Sequence, residues 1–136
     1  MFAIVDYEAF WIAESRAAAD LALGEQWLRA SNYPGKRLIV LNSSKIVKDI
    51  PPLAEIVNRH TVVTPRMKKH PSRGGHAVFA PWVVGKALEL AEELESTGGG
   101  LCVIDSAPRA DEIAGWLLRT QATKLTRHTQ RGVSHR

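Results

Sequence analysis

HAVFAPWVVGKALELAEELESTGGGLCVID, residues 76–105, decides the fold of this chain. Its ends, His76–Ala80 and Gly100–Ile104, are short apolar runs, continuous rather than alternating, each followed by turn-forming residues. Such runs suit strands covered on both faces, as in a mostly parallel sheet. Between them Val84, Ala87, Leu88, Ala91 and Leu94 recur at helical spacing, while Glu89, Glu92, Glu93 and Glu95 fall on the water-facing side. The pattern predicts a helix over Val83–Ser96, ended by Gly98-Gly99-Gly100.

Working outward, three more runs read as strands: Phe2–Val5, Arg37–Leu41 and Thr61–Thr64. Glu8–Ser31 reads as one helix with Phe10, Ala13, Ala17, Leu21 and Leu28 along one side, stopped by Ser31-Asn32-Tyr33-Pro34-Gly35. Pro52–His60 predicts a short helix with proline in its first turn. A last helix starts near Ser106 and reaches about Ala122, with Ile113, Leu117 and Leu118 in its apolar stripe. Thr61–Thr64 and His76–Ala80 are joined without a helical pattern, as a hairpin or as two irregularly connected strands. Strand–helix alternation of this kind specifies an α/β three-layer sandwich: a mostly parallel sheet of four to five strands with helices on both faces. Residues 1–122 form a single domain on this reading, and 123–136 a mobile basic tail.

The composition is that of an ordinary globular domain: 136 residues, 45% hydrophobic and 24% charged. The one cysteine, Cys102, lies inside an apolar run and reads as a buried, inert thiol. The five histidines lack paired ligand spacing, so neither a metal nor a cofactor is expected. The opening residues meet Asp6 directly after the four-residue apolar run Phe2–Val5, short of a signal-peptide core, and no run approaches a membrane span. A cytoplasmic location follows as the expectation. Seventeen alanines, and eleven arginines against seven lysines, point to a bacterial or phage source.

The net charge of +4 is unevenly spread. Residues 1–64 balance to zero, 65–75 carry +4, 76–112 carry −5 and 113–136 carry +5. Arg66, Lys68, Lys69 and Arg73 in the loop, with Arg127 and Arg131 in the tail, are the candidate contacts to phosphate or to another acidic partner. The plainer reading is that loop and tail neutralise the chain's own acidic helix.

In an open parallel sheet, ligands bind beyond the carboxyl ends of the strands. On the expected strands those ends carry Asp6-Tyr7-Glu8, Asn42-Ser43-Ser44, Thr64-Pro65-Arg66, Pro81-Trp82 and Asp105-Ser106. Asp6, Asp105 and Ser43 are therefore the catalytic candidates, although Asp and Ser also serve as turn and cap residues. The phosphate-loop, nucleophile-elbow, zinc-protease and deaminase motifs are absent. His76–Leu94 resembles the strand-and-helix opening of the second RecA-like lobe of helicases. That lobe's arginine-bearing motif is missing, so the resemblance implies shared α/β architecture and carries no activity.

Trp27 and Trp116 read as core anchors, whereas Trp11 and Trp82 sit where a half-exposed ring can mark a partner surface. Together these features favour a non-catalytic interaction module that binds a protein partner or its own copy. Two alternatives stay open: a nucleic-acid-binding accessory protein using the basic loop and tail, and a small hydrolase or transferase acting on a phosphate-bearing ligand at the strand ends.

Overall fold

The structure, a computed structural model, describes residues 7–96, 98–106 and 111–126. Along the chain these form β1 (Glu8–Ile12), α1 (Ala18–Ala30), β2 (Arg37–Val40), α2 (Ile46–Asp49), α3 (Pro51–Val57), β3 (Thr61–Val63), β4 (Ala77–Pro81), α4 (Gly85–Glu95), β5 (Gly100–Ile104), α5 (Asp111–Thr120) and β6 (Thr123–Lys124). The described strands make one six-stranded sheet in the order β3-β2-β4-β5-β1-β6, with every pairing parallel.

The α/β class holds, and three details of the expected architecture change. The expected strand Phe2–Val5 lies outside the described residues. The strand that pairs β5 is Glu8–Ile12, in register Phe10↔Cys102, so the expected helix Glu8–Ser31 divides into β1 and α1. A short apolar run fits either period, and here the parallel partner decides. Ser15 marks the division, its hydroxyl accepting the Ala17 N–H at 3.0 Å. Next, β3 and β4 are no hairpin: both flank β2, one on each side. Finally, Thr123–Lys124 joins the sheet edge beside β1, and Leu125 N–H donates to Trp11 O at 2.7 Å. Order thus extends past residue 122.

Alternation along each strand divides the interior into two cores. Leu38, Val40, Val78, Ala80, Leu101 and Val103 pack with α4 and α5. Ile39, Leu41, Phe79, Cys102 and Ile104 pack with α1 and α3. Because β4 and β5 are buried along their whole length, their sequences show no polar alternation. Connections through α1, α2 and α3 carry the chain toward β3, and those through α4 and α5 carry it toward β6. Reversing face and direction together gives these crossovers the same hand. The β3–β4 connection contains no helix, and its end is pinned to α4 by Gly75 N–H to Ser96 O (3.0 Å) and His76 N–H to Leu94 O (3.3 Å). His76 is buried; its Nδ1 accepts the Lys36 N–H at 2.8 Å and its Nε2–H donates to Ser72 O at 2.6 Å. The ring is a structural brace.

On the other face Glu25 of α1 is 6% exposed and takes two hydrogen bonds from Arg59, at 2.9 and 2.8 Å, with His60 Nε2 2.9 Å away. Those Arg59 bonds, joined by His60 and opposed by burial, hold the Glu25 carboxyl down at about 2. A depressed carboxyl stabilises the fold above its unfolded value and loses that contribution as pH falls toward the folded one. Glu25→Gln is therefore expected to cost about 1–3 kcal/mol at neutral pH. The difference from the parent should vanish near pH 2 in urea titrations across the acid range.

Candidate functional site

Ligand crevices in such sheets open where neighbouring strands lead to opposite sides, which here is between the carboxyl ends of β2 and β4. The chain's own groups lace that place shut. Asn42 Nδ2 donates to Trp82 O at 2.7 Å, and its Oδ1 accepts the Val84 N–H at 3.0 Å. Trp82 has a left-handed backbone (φ 59°), and its N–H donates to Ile104 O at 2.9 Å. Its indole N–H donates to Ser15 O at 3.1 Å, and the Arg16 guanidinium lies 5.8 Å from the ring centre. At 7% exposure Trp82 is a buried rivet of this rim, correcting the half-exposed anchor expected of it.

The described catalytic candidates, Ser43 and Asp105, do not converge. Asp6 lies outside the described residues. The carboxyl end of β1 is Ile12, so Tyr7 and Glu8 belong to the opposite end of the sheet. Ser43 Oγ accepts the Lys45 N–H at 3.2 Å, as a turn serine does. Asp105 is buried after β5, and β4 stands between it and β2. At the usual strand spacing Asp105 and Ser43 are roughly 10 Å apart, and Asp105 and Arg66 roughly 14 Å.

The basic candidates divide as well. Arg73 reaches Glu93 of α4 at 3.6 Å, an exposed pair within the chain itself. Arg66, Lys68 and Lys69 are exposed and make no ion pair among the described residues. Arg127 and Arg131 lie outside the described residues. Trp11 is half-buried on the α4–α5 side of β1, with the Lys124 ammonium 5.1 Å from its ring centre.

A different site is formed between α4 and α5. A cleft of about 350 Å³ is lined by Gly85, Leu88, Glu89 and Glu92 from α4 and by Glu112, Gly115, Trp116 and Arg119 from α5. Leu88 and Trp116, both buried, form its apolar base, and three carboxylates and one guanidinium line it, Glu89 and Glu92 on α4 and Glu112 and Arg119 on α5. One wall is rigid. Glu92 accepts two hydrogen bonds from Arg119, at 3.0 and 3.2 Å, and a third from the Tyr7 hydroxyl at 2.9 Å. Trp116 Nε1–H in turn donates to the Tyr7 hydroxyl oxygen at 3.0 Å. Burial, then the Glu92 charge, pushes the Tyr7 phenol well above its usual range, so it stays protonated as the donor. Glu89 and Glu112 are exposed and make no ion pair among the described residues.

Glu89–Glu95 reads in sequence as one solvated face, and the cleft is made only when α5 packs beside it. The signal was the pairing of that face with Gly115, a glycine inside a helix where an added Cβ would meet nothing within 4 Å. A Cβ at Gly85 would likewise meet nothing within 4 Å, so both glycines border open space at the cleft.

Fold and cleft together define a three-layer, all-parallel α/β domain with an acid-walled cleft in one helical layer. No protein-family model, curated protein or solved structure matches the chain. Among the described residues no helix is long and apolar enough to cross a membrane, and no three His, Cys, Asp or Glu side chains are grouped to hold a metal ion.

Proposed function

We propose that this domain is a non-catalytic interaction module whose docking face is the α4–α5 cleft, and that it takes a segment presenting an apolar side chain between lysines or arginines. The observation that carries the reading is the cleft's chemistry: an apolar base of Leu88 and Trp116 under Glu89 and Glu112, two carboxylates without ion pairs among the described residues. An apolar anchor gains by leaving water at the base, while flanking cations gain from the carboxylates and supply steering and register. The strand-end rim offers less, since Asn42 and Trp82 already bridge its crevice.

A fluorescein-labelled KRLKR peptide provides the test, with EELEE as control, read by fluorescence anisotropy at low salt. The basic peptide is expected to bind in the micromolar-to-millimolar range. Glu89→Lys with Glu112→Lys is expected to weaken it at least about tenfold, about 1.4 kcal/mol or more. Equal binding of the acidic control, or identical binding by parent and variant, overturns the reading.

A further inference from the structure

We infer that the segment filling the cleft belongs to a second copy of this chain: the turn Arg66-Met67-Lys68-Lys69 of one molecule docks between α4 and α5 of the next. The inference rests on the cleft being a docking face and adds the identity of its occupant. Met67, 43% exposed, is one of two large hydrophobic residues exposed among those described; the other, Leu118 at 81%, is not among the residues lining the cleft. Exposed cations flank Met67 on both sides, so the turn reproduces the apolar-between-basic pattern that the cleft's base and walls complement.

The turn is also held in shape. Met67 N–H donates to Thr64 O at 3.2 Å, Met67 Sδ accepts the Thr64 N–H at 3.3 Å, and His70 Nε2 lies 3.0 Å from Thr64 O. The backbone turn is preorganised and loses little freedom on docking, whereas the Met67 side chain exchanges its Thr64 N–H contact for the apolar base of the cleft. Arg73, by contrast, is tied to the same molecule's Glu93, which leaves Arg66, Lys68 and Lys69 as the cations available to a neighbour.

Turn and cleft lie on opposite flanks of α4. The turn follows the edge strand β3, and α5 lies on the far side of the cleft, leading to the other edge strand, β6. One molecule therefore cannot fill its own cleft with its own turn. The contact joins two different surfaces, so repeated docking builds a ring or an open chain rather than a two-fold dimer.

Sedimentation velocity on the full chain tests this. At about 50 mM salt the mean mass is expected to rise with concentration from tens of micromolar to about 1 mM, and at about 500 mM salt to fall toward the monomer. Arg66→Gln/Lys68→Gln/Lys69→Gln removes the turn's charge, and Glu89→Lys/Glu112→Lys reverses the cleft's. Each variant alone is expected to stay monomeric. Mixed in equal amounts they are expected to reverse roles: the first keeps an intact cleft, the second an intact turn, and one contact gives a dimer that grows no further. A parent that is monomeric at every concentration overturns self-docking. If KRLKR still binds the cleft in that case, the docking face stands and only the second-copy occupant falls. Self-association that survives either set of substitutions also overturns the inference. So does a monomeric parent that binds duplex DNA through Arg66, Lys68 and Lys69.

Discussion

At pH 8 the Glu95→Gln variant is expected to unfold about 10 °C above the parent chain, and at pH 4.5 the two should melt together. Glu95 is fully buried on α4 and neither carboxyl oxygen has a hydrogen-bond partner. Burial, with Glu92 adding to it and Arg119 opposing it, pushes the carboxyl up to about 9. The folded chain therefore keeps this proton at neutral pH while the unfolded chain releases it. Below the unfolded value both states are protonated and the site is neutral to stability. As pH rises from there toward the folded value the unfolded state gains, and stability falls throughout the interval. The full shift would correspond to several kcal/mol; allowing for relaxation around an ionised carboxylate, about 2–4 kcal/mol is expected at pH 8. Glutamine keeps the shape and removes the ionisation. Differential scanning calorimetry across pH 4–9 checks the result, and a parallel pH slope in parent and variant would rule the account out. Glu25 acts in the opposite sense on the acid side. The two carboxyls together place their joint contribution at its greatest near pH 4.5.

Gly24→Ala is expected to destabilise the domain by about 2–4 kcal/mol, although alanine favours a helix over glycine by about 1 kcal/mol. Gly24 lies on the buried side of α1, where a Cβ would stand 2.2 Å from Phe79 Cε1 and 2.3 Å from Cζ. Phe79 is fully buried in central strand β4, in register between Ile39 and Cys102, so its ring has no free space to enter. Either the ring leaves its rotamer or α1 lifts from the sheet, and both forfeit packing. Phe79→Leu alone costs about 1–2 kcal/mol, yet combined with Gly24→Ala it should recover much of the loss, because leucine vacates the position the new methyl requires. A double-mutant cycle by urea denaturation measures the coupling, and strict additivity would show that the clash is relieved elsewhere.

Glu25, Glu95 and Gly24 show where reading the chain stops. Each fits its helix on propensity and periodicity, and nothing local separates Glu95, which was expected to face water, from the exposed Glu93. Their roles come from what packs against them: Arg59 and His60 after α3, the close approach of Tyr7 and α5, and the ring of Phe79. The cleft has the same origin, since Glu89 and Glu92 come from α4 and Glu112 and Arg119 from α5. The strand-end candidates separate for a related reason. The strand beside β5 runs over Glu8–Ile12, which puts Tyr7 and Glu8 at the opposite end of the sheet from Ser43 and Asp105, and Asp6 lies outside the described residues.

By itself the sequence determined the α/β class, the strand–helix–strand order of residues 76–104, the burial of Cys102 and the segregation of charge. These follow from the period and sign of neighbouring residues, which the chain carries locally. Tertiary structure alone decided the sixth strand and the order β3-β2-β4-β5-β1-β6, the closure of the β2–β4 crevice by Asn42 and Trp82, and the acid-walled cleft. The physical reason is that each depends on contacts between residues tens of positions apart, whose energies local pattern does not register. The segment at 76–105 shows both sides of that division: its strand–helix–strand order is written in its periodicity, and the buried, unpartnered carboxyl of Glu95 within it is set by the elements folded against it.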